Sequence, residues 1–223
     1  MKPVLAMLNI FIDPKEAVKG FDNKWAWIPP LIVISIVVAI IGWLTIPFAL
    51  QAMQYEPPRG LTHEQLQAAM PRIQMISKAT VFATPISTAI MMAIAAGLLA
   101  AACAVMDIKA PFVKLFTLAA HCGLINAVQA VAQYVVLVMK HDDIQSMKQL
   151  IPHFGLDLLL DENANKQLAA LLGFFSLFQI WYLVVLALGL AFMAGIPKSK
   201  AFAAITPVWL LSLLMRLGTS FFT

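Results

Sequence analysis

Residues 28–50 read IPPLIVISIVVAIIGWLTIPFAL and carry no charged side chain. A helix that crosses the roughly 30 Å hydrocarbon core of a bilayer needs about 20 apolar residues, because each residue advances the helix by about 1.5 Å. Four more long apolar stretches that are almost free of charge follow, at about residues 80–106, 112–139, 168–194 and 201–222. The sequence therefore predicts an all-α fold, a polytopic membrane helix bundle with five transmembrane helices.

The composition of the chain also indicates a membrane environment. Hydrophobic residues make up 61% of the chain and charged residues only 12%, whereas globular proteins have about 25% charged residues. Once the spans are removed, no polar segment is long enough to fold alone, so we expect one five-span membrane domain at residues 25–223. The basic residues behind the net charge of +4 are spread over the connecting segments, so no nucleic-acid partner is predicted.

Three side chains are candidate interfacial anchors. Trp25 and Trp27 stand just before the first span, and aromatic rings in this position favour the headgroup level of a bilayer. Arg216 stands near the end of the fifth span, where its long stem allows the guanidinium to reach the headgroups. We expect these three residues to set the depth of the two helices in the bilayer.

The segment before the first span, residues 1–24, is too polar to cross a membrane. Its apolar side chains recur with roughly helical period and predict an amphipathic interfacial helix; they are Val4, Leu5, Met7, Leu8, Phe11 and Ile12. A signal peptide is the competing interpretation. Asp13-Pro14 shortens its apolar run, however, and no small-residue cleavage site follows before further charges.

The connecting loops indicate local structure and orientation. Residues 61–78 predict a capped amphipathic helix that Pro71 interrupts. Residues 142–166 predict a segment on the outer membrane surface, either a solvated linker or a binding surface. Lysine and arginine are denser in the short segments on the side of the N-terminus, so we expect a cytoplasmic N-terminus and an outside C-terminus.

The third span is the most polar of the five. Cys122, Asn126, Gln129 and Gln133 recur at spacings of four, three and four residues, so they share a narrow arc of one helical face. Polar side chains inside hydrocarbon need partners, so we expect this face to look into the bundle or a subunit interface. It forms either a hydrated path for a solute or a set of interhelical hydrogen bonds, with Gln179 of the fourth span as the candidate partner.

Other reactive side chains give weaker signals. His121, beside the polar stripe, would titrate or bind a metal if water reached it, and would otherwise be a neutral hydrogen-bonding residue. His153 and Asp157 have a spacing that metal ligands use, although a surface charge cluster is the favoured interpretation. Cys103 and Cys122 both fall inside spans, so no disulfide is predicted. Since no catalytic or nucleotide motif is present, we predict no enzyme activity, no cofactor and no metal.

Several short stretches occur together along the chain: residues 11–17 (FIDPKEA), 25–29 (WAWIP), 61–65 (LTHEQ), 174–181 (FFSLFQIW) and 195–201 (GIPKSKA). In this order and spacing they resemble the bacterial branch of the Ypt/Rab-interacting protein (Yip) domain family. The resemblance covers nearly the whole chain and implies a five-span domain with a cytoplasmic N-terminus.

The resemblance does not extend to the GTPase binding of the eukaryotic relatives, which act in vesicle traffic. This chain lacks their long cytoplasmic N-terminal region and their Asp-Leu-x-Gly-Pro element, and has Ala83-Thr84-Pro85-Ile86 near the start of the second span instead. Some bacterial members look like accessory subunits beside transport machinery. The resemblance defines no catalytic or ligand residue that could be assigned here.

Three functions follow as hypotheses. The first is a non-enzymatic accessory or scaffold protein of the bacterial cytoplasmic membrane, with membrane lipids and either other membrane proteins or further copies of itself as partners. The alternative is a small transporter or channel with a polar path along the third span. The third, a membrane enzyme or metal protein that uses the outer His and Asp residues, has the least support in the sequence.

Overall fold

The structure, a computed structural model, describes residues 3–58, 60–140, 144, 147–150, 152, 154–160 and 165–220. All regular elements in these ranges are helical. They are α1 (Pro3–Ile12), α2 (Pro14–Val18), α3 (Ile28–Tyr55), α4 (His63–Val105), α5 (Phe112–Met139), two 3₁₀ turns (Met147–Leu150 and Leu156–Leu159), α6 (Lys166–Phe174), α7 (Leu177–Ala194) and α8 (Lys198–Ser220). The helices α3, α4, α5, α7 and α8 are long and apolar enough to cross a membrane. The predicted all-α, multi-pass membrane fold is therefore confirmed.

Local side-chain chemistry sets several helix ends. Thr62 and Gln65 cap the start of α4 reciprocally: the Gln65 N–H donates to Thr62 Oγ1 at 3.2 Å and the Thr62 N–H donates to Gln65 Oε1 at 3.0 Å. The Asp13 carboxylate accepts from the backbone N–H groups at the start of α2. At its other end, α7 stops at Gly195, whose φ of 64° is a left-handed conformation that glycine adopts without steric cost.

Hydroxyl groups within the spans bond to their own helices. Thr45, Thr80, Thr117 and Ser212 each donate to the carbonyl oxygen four residues earlier, at distances of 2.7, 2.9, 2.7 and 2.9 Å. Each hydroxyl proton is therefore satisfied without a second helix.

α4 differs from the sequence prediction. We predicted a separate helix in residues 61–78 that Pro71 interrupts, followed by a span from about residue 80, but α4 runs unbroken from His63 to Val105 through Pro71 and Pro85. A proline removes one backbone hydrogen bond and strains the preceding turn. No glycine or asparagine stands near Pro71 to end the helix, so the turns on both sides continue it.

The fourth predicted span, residues 168–194, is broken in the structure. α6 ends at Phe174, and α7 begins at Leu177. Between them, Ser176 leaves the helical conformation with φ −83° and ψ 154°, and its hydroxyl accepts from the Gln179 N–H at 3.2 Å. A serine side chain that caps a helix offers the backbone an alternative to continuing through it. The membrane-spanning helix is therefore α7 alone.

The chain packs as two compact units. The first contains residues 1–34, 88–126 and 153–223, and the second contains residues 35–87 and 127–152. In the first unit the fully buried side chains include Leu115, Leu118, Ile125, Leu186 and Leu190, from α5 and α7. Gly189 allows α7 to approach α5 closely, because a methyl group on Gly189 would overlap the Leu118 side chain. Gly123 gives α5 a similar close contact with α4 and α3, since a methyl group there would lie 2.7 Å from Met92 Cε and 3.1 Å from Ile34 Cδ1.

The second unit has its own small core. Ala52, Leu137 and Ile144 are buried there, with Phe48 and Leu150 packed against them. Aromatic rings extend this packing: Phe48 and Tyr134 lie 6.3 Å apart, and Trp43 and Phe82 lie 6.4 Å apart, both edge to face. Lys78 Nζ lies 5.7 Å from the centre of the Trp43 ring. Each unit therefore contains a hydrophobic centre built from more than one helix.

The N-terminal helices belong to the first unit. α1 buries Ala6 and Ile10, while four of the six side chains on its predicted apolar face are exposed: Val4, Leu5, Leu8 and Ile12, the last by 87%. The Phe11 and Trp181 rings lie 5.6 Å apart, which attaches the end of α1 to α7. The position of α1 at the membrane interface stays a prediction.

Candidate functional site on α5

The first half of α5 places two of the predicted site residues in the interior of the first unit. His121 is only 2% exposed, and its Nδ1 lies 2.8 Å from the Thr117 carbonyl oxygen. Because a carbonyl oxygen only accepts, the imidazole donates through Nδ1. The Phe21 ring lies 4.6 Å from the imidazole ring and covers it. This geometry gives His121 an internal hydrogen-bonding role.

Cys122 is fully buried next to His121 in the sequence, and Cys103 on α4 is also buried. Both are free thiols. A buried thiol of this kind packs as a small hydrophobic side chain.

The amide side chains of α5 form a face of their own. Because α5 is continuous from Phe112 to Met139, Asn126, Gln129 and Gln133 fall within a narrow arc with Cys122. Asn126 is exposed within the single chain, while Gln129 and Gln133 are half-buried. We expected this face to look into the bundle or a subunit interface, and this stays a prediction.

The opposite face of α5 carries valines. Val128, Val131, Val135 and Val138 are all exposed, and the rotation of about 100° per residue places them roughly opposite the amides. A lipid-facing surface is expected to be apolar, as these valines are. In the described part of the chain, no side-chain hydrogen bond reaches Asn126, Gln129 or Gln133. The amides are therefore the polar groups of α5 that water or another molecule could still satisfy.

Gln179 has a different setting from the one we expected. It lies in the first turn of α7 instead of the centre of a span, where its backbone N–H takes part in the Ser176 cap. Its side chain is half-buried, and within the described residues no hydrogen bond joins it to the amides of α5.

The two tryptophans lie at the start of α3. Trp25 is exposed, and Lys24 Nζ lies 5.5 Å from the centre of its ring. Trp27 meets Phe116 edge to face at 5.4 Å, which attaches the chain before α3 to the beginning of α5. Trp25 thus presents an apolar ring beside a charge, an arrangement suited to a membrane interface.

The Arg216 side chain is hydrogen-bonded within the protein instead of extending freely. Its Nε donates to the Ala170 carbonyl oxygen in α6 at 3.0 Å. A methyl group on Gly173 would overlap the Arg216 Nη2 atom and would lie 2.6 Å from Asp157 Oδ2. The guanidinium and the buried Asp157 carboxylate therefore lie over the same glycine, where their opposite charges attract.

This group holds the segment 154–160 against α6 and α8. A Cβ atom on Gly155 would lie 2.8 Å from the Gly173 carbonyl oxygen and 2.9 Å from its Cα atom, so the two backbones touch directly. The Phe154 ring also packs edge to face on Phe178, at 5.5 Å. We define Gly155, Asp157, Gly173 and Arg216 as the outer clasp. Sequence reasoning missed it because its members are up to 61 residues apart and no motif joins them.

The described residues do not test the weaker, metal-binding interpretation of His153 and Asp157. His153 lies outside the described residues, and Asp157 belongs to the outer clasp. Among the residues that the structure describes, no three His, Cys, Asp or Glu side chains form a group that could hold a metal.

The sequence was compared with known proteins. The family model described as Yip1 domain matches residues 8–218, from the middle of α1 to the last turns of α8. Comparisons with curated proteins and with solved structures gave no match.

Proposed function

The chain belongs to the Yip1 domain family, and from this we propose that it is a non-enzymatic accessory or scaffold protein of the bacterial cytoplasmic membrane. In this role it associates with a transport complex or a membrane-organising complex and contributes binding surfaces instead of chemistry. Its N-terminus lies in the cytoplasm and its C-terminus outside, as the distribution of lysine and arginine indicates.

The packing of the first unit is the observation that carries the proposal. The inward sides of α5 and α7 are filled by leucine and isoleucine side chains with no exposed surface. At Gly189 the two helices are in direct contact, because a methyl group there would overlap the Leu118 side chain. A densely filled interior suits a protein that acts through its outer surface.

The length of α4 supplies such a surface. Its 43 residues extend for about 65 Å, roughly twice the hydrocarbon thickness of a bilayer. The turns that follow His63 therefore reach beyond the hydrocarbon, and Met75 and Ile76 are exposed there. Exposed apolar side chains near water favour contact with another protein.

A purification from native membranes tests this role. The full chain with a tag at its N-terminus is isolated in native-lipid particles, and the proteins that accompany it are identified by mass spectrometry. We expect stoichiometric recovery of another membrane protein, and weaker recovery after Met75→Ser with Ile76→Ser. Glu64→Gln, on the first turn of the same helix, is the matched control and should retain the partner. Recovery of the chain alone, with no partner in any preparation, contradicts the proposal.

The amides of α5 favour a second candidate function, a small transporter or channel. Asn126, Gln129 and Gln133 lie opposite the exposed valines and have no side-chain hydrogen bond in the described part of the chain. Amides of this kind suit a hydrated path for a polar solute.

Solute flux into liposomes that contain the purified chain tests this candidate. Replacement of the three amides by leucine should abolish flux, while Val131→Leu on the opposite face should leave it unchanged. Flux that the three leucines do not alter, or no flux for any solute tested, rejects the transporter.

A further inference from the structure

One end of the first unit carries a concentration of lysine. The segments concerned are the chain before α3, the turn between α4 and α5, and the turn between α7 and α8. The basic residues of these segments and of the first turns of α5 and α8 are Lys19, Lys24, Lys109, Lys114, Lys198 and Lys200, and the acidic residues are Asp22 and Asp107. The balance of charge at this end is therefore clearly positive.

Contacts within the first unit show that these segments share one end. Leu118, near the beginning of α5, meets Gly189, near the end of α7. The start of α5 therefore lies beside the turn that leads to α8. The Asp22 carboxylate accepts from Lys114 Nζ at 2.7 Å, and Trp27 meets Phe116, which brings the chain before α3 to the same place.

Among the residues that the structure describes, most of these lysines have no acidic partner, although Lys19 is paired with Glu16. Lys114 is paired with Asp22. Within the described residues, no ion pair involves Lys24, Lys109, Lys198 or Lys200. The ammonium groups of Lys24, Lys109 and Lys198 are on exposed side chains, so an anion outside the protein can approach them.

Apolar side chains surround the same turns. Val105, at the end of α4, is 86% exposed, and Phe112 and Val113, at the start of α5, are exposed as well. Trp25 is exposed beside Lys24. A partner that covers this surface needs a negatively charged group for the lysines and hydrocarbon for the apolar side chains. A free phosphate ion or a nucleic acid would leave the apolar side chains in water.

We infer that the surface formed by Lys24, Lys109, Lys198 and Lys200 binds the headgroups of anionic phospholipids, while the neighbouring exposed apolar side chains contact their acyl chains. Each lysine near an anionic membrane surface strengthens binding by about a factor of five. Loss of two lysines therefore weakens binding roughly 25-fold. The inference needs only the membrane location of the chain and does not depend on the scaffold role.

The test uses the full chain in nanodiscs of phosphatidylcholine, to which phosphatidylglycerol or further phosphatidylcholine is added. Binding is measured by native mass spectrometry of retained lipid and by the thermal unfolding midpoint. The variant Lys109→Gln with Lys198→Gln removes two charges from the surface. The matched control, Lys78→Gln with Lys140→Gln, removes two lysines from other parts of the chain. Lys109→Arg with Lys198→Arg preserves the charge.

We expect phosphatidylglycerol, but not phosphatidylcholine, to raise the unfolding midpoint of the unaltered chain, of the control and of the arginine variant. The glutamine variant at Lys109 and Lys198 should lose most of this rise and retain fewer phosphatidylglycerol molecules, and 0.5 M salt should weaken the response of the unaltered chain. Equal responses of the two glutamine variants would overturn the inference. So would an equal rise with inorganic phosphate, since that would assign the surface to a soluble anion.

Discussion

Gly155→Ala tests the outer clasp most directly. Gly155 has φ −112° and ψ −173°, an extended conformation that alanine adopts without strain. The new methyl group would lie 2.8 Å from the Gly173 carbonyl oxygen, 2.9 Å from Gly173 Cα and 2.9 Å from Asp157 Oδ1. Two of these three atoms belong to the backbone of α6 and cannot rotate away. The segment 154–160 must therefore move off α6.

The expected cost follows from two opposing effects. Overpacking of a close contact destabilises proteins by about 1 to 3 kcal/mol. Alanine also restricts the unfolded chain and thereby returns about 0.4 to 1 kcal/mol. Taking the centre of each range, a cost of about 2 kcal/mol less a gain of about 0.7 kcal/mol leaves a net loss of about 1.3 kcal/mol in the free energy of unfolding. This loss corresponds to a midpoint lower by roughly 3 to 5 °C in a chain of this size.

Thermal unfolding in detergent and amide hydrogen exchange measure this effect together. The Leu158 N–H donates to the Gly155 carbonyl oxygen at 3.2 Å, and the Leu160 N–H donates to the Asp157 carbonyl oxygen at 3.1 Å. Both amides should exchange faster in Gly155→Ala.

Gly97→Ala is the control, because a methyl group there meets no atom within 4 Å. Since Gly97 lies inside α4, alanine should stabilise the helix by about 1 kcal/mol. A Gly155→Ala variant with an unchanged midpoint and unchanged exchange at Leu158 and Leu160 would refute the direct backbone contact in the outer clasp.

Three further predictions concern other parts of the chain. Arg216→Gln removes the hydrogen bond to α6 and the charge beside the buried carboxylate, so it should lower the free energy of unfolding by about 1 to 3 kcal/mol, and an unchanged midpoint would contradict this. The hydrogen bond from Lys114 lowers the pKa of Asp22, so this pair stabilises the fold above the ordinary carboxyl pKa and its contribution is lost as the pH falls through the lowered value. The unfolding midpoint of Asp22→Asn should therefore depend less on pH in the acid range than that of the unaltered chain, and equal acid dependence would count against the pair. Cys103 and Cys122 are buried, so a maleimide should label them only on unfolding, and rapid labelling of the folded chain would show that the interior is open.

The sequence was sufficient for the fold class because the bilayer imposes a simple requirement. Inside a bilayer, a long apolar segment must satisfy the hydrogen bonds of its own backbone, and an α-helix does so. Residues 28–50 alone therefore indicate a membrane-spanning helix. Helix interruptions were harder to predict. Pro71 suggested a break that α4 does not have, while the break between α6 and α7 depends on the hydroxyl of Ser176, which hardly changes the hydropathy of the segment around it.

In the candidate site, too, the spacing along one helix was predictable from the sequence, while the packing between helices was not. The shared arc of Asn126, Gln129 and Gln133 follows from helical spacing alone. The surroundings of that arc depend on which helices pack against it, and spacing within one helix carries no information about that. The outer clasp depends on two glycines, Gly155 and Gly173, whose role appears only when their backbones meet.

The hydroxyl groups of the spans have a consequence for biogenesis. Since Thr45, Thr117 and Ser212 donate to their own helices, each helix leaves the translocon with these protons already satisfied. At Thr45 and Ser212, which are only half-buried in the protein, lipid then meets side chains that behave nearly as aliphatic groups. Exchange between threonine and valine at such positions is therefore almost neutral for insertion, so these sites can change during evolution without altering how the protein enters the bilayer.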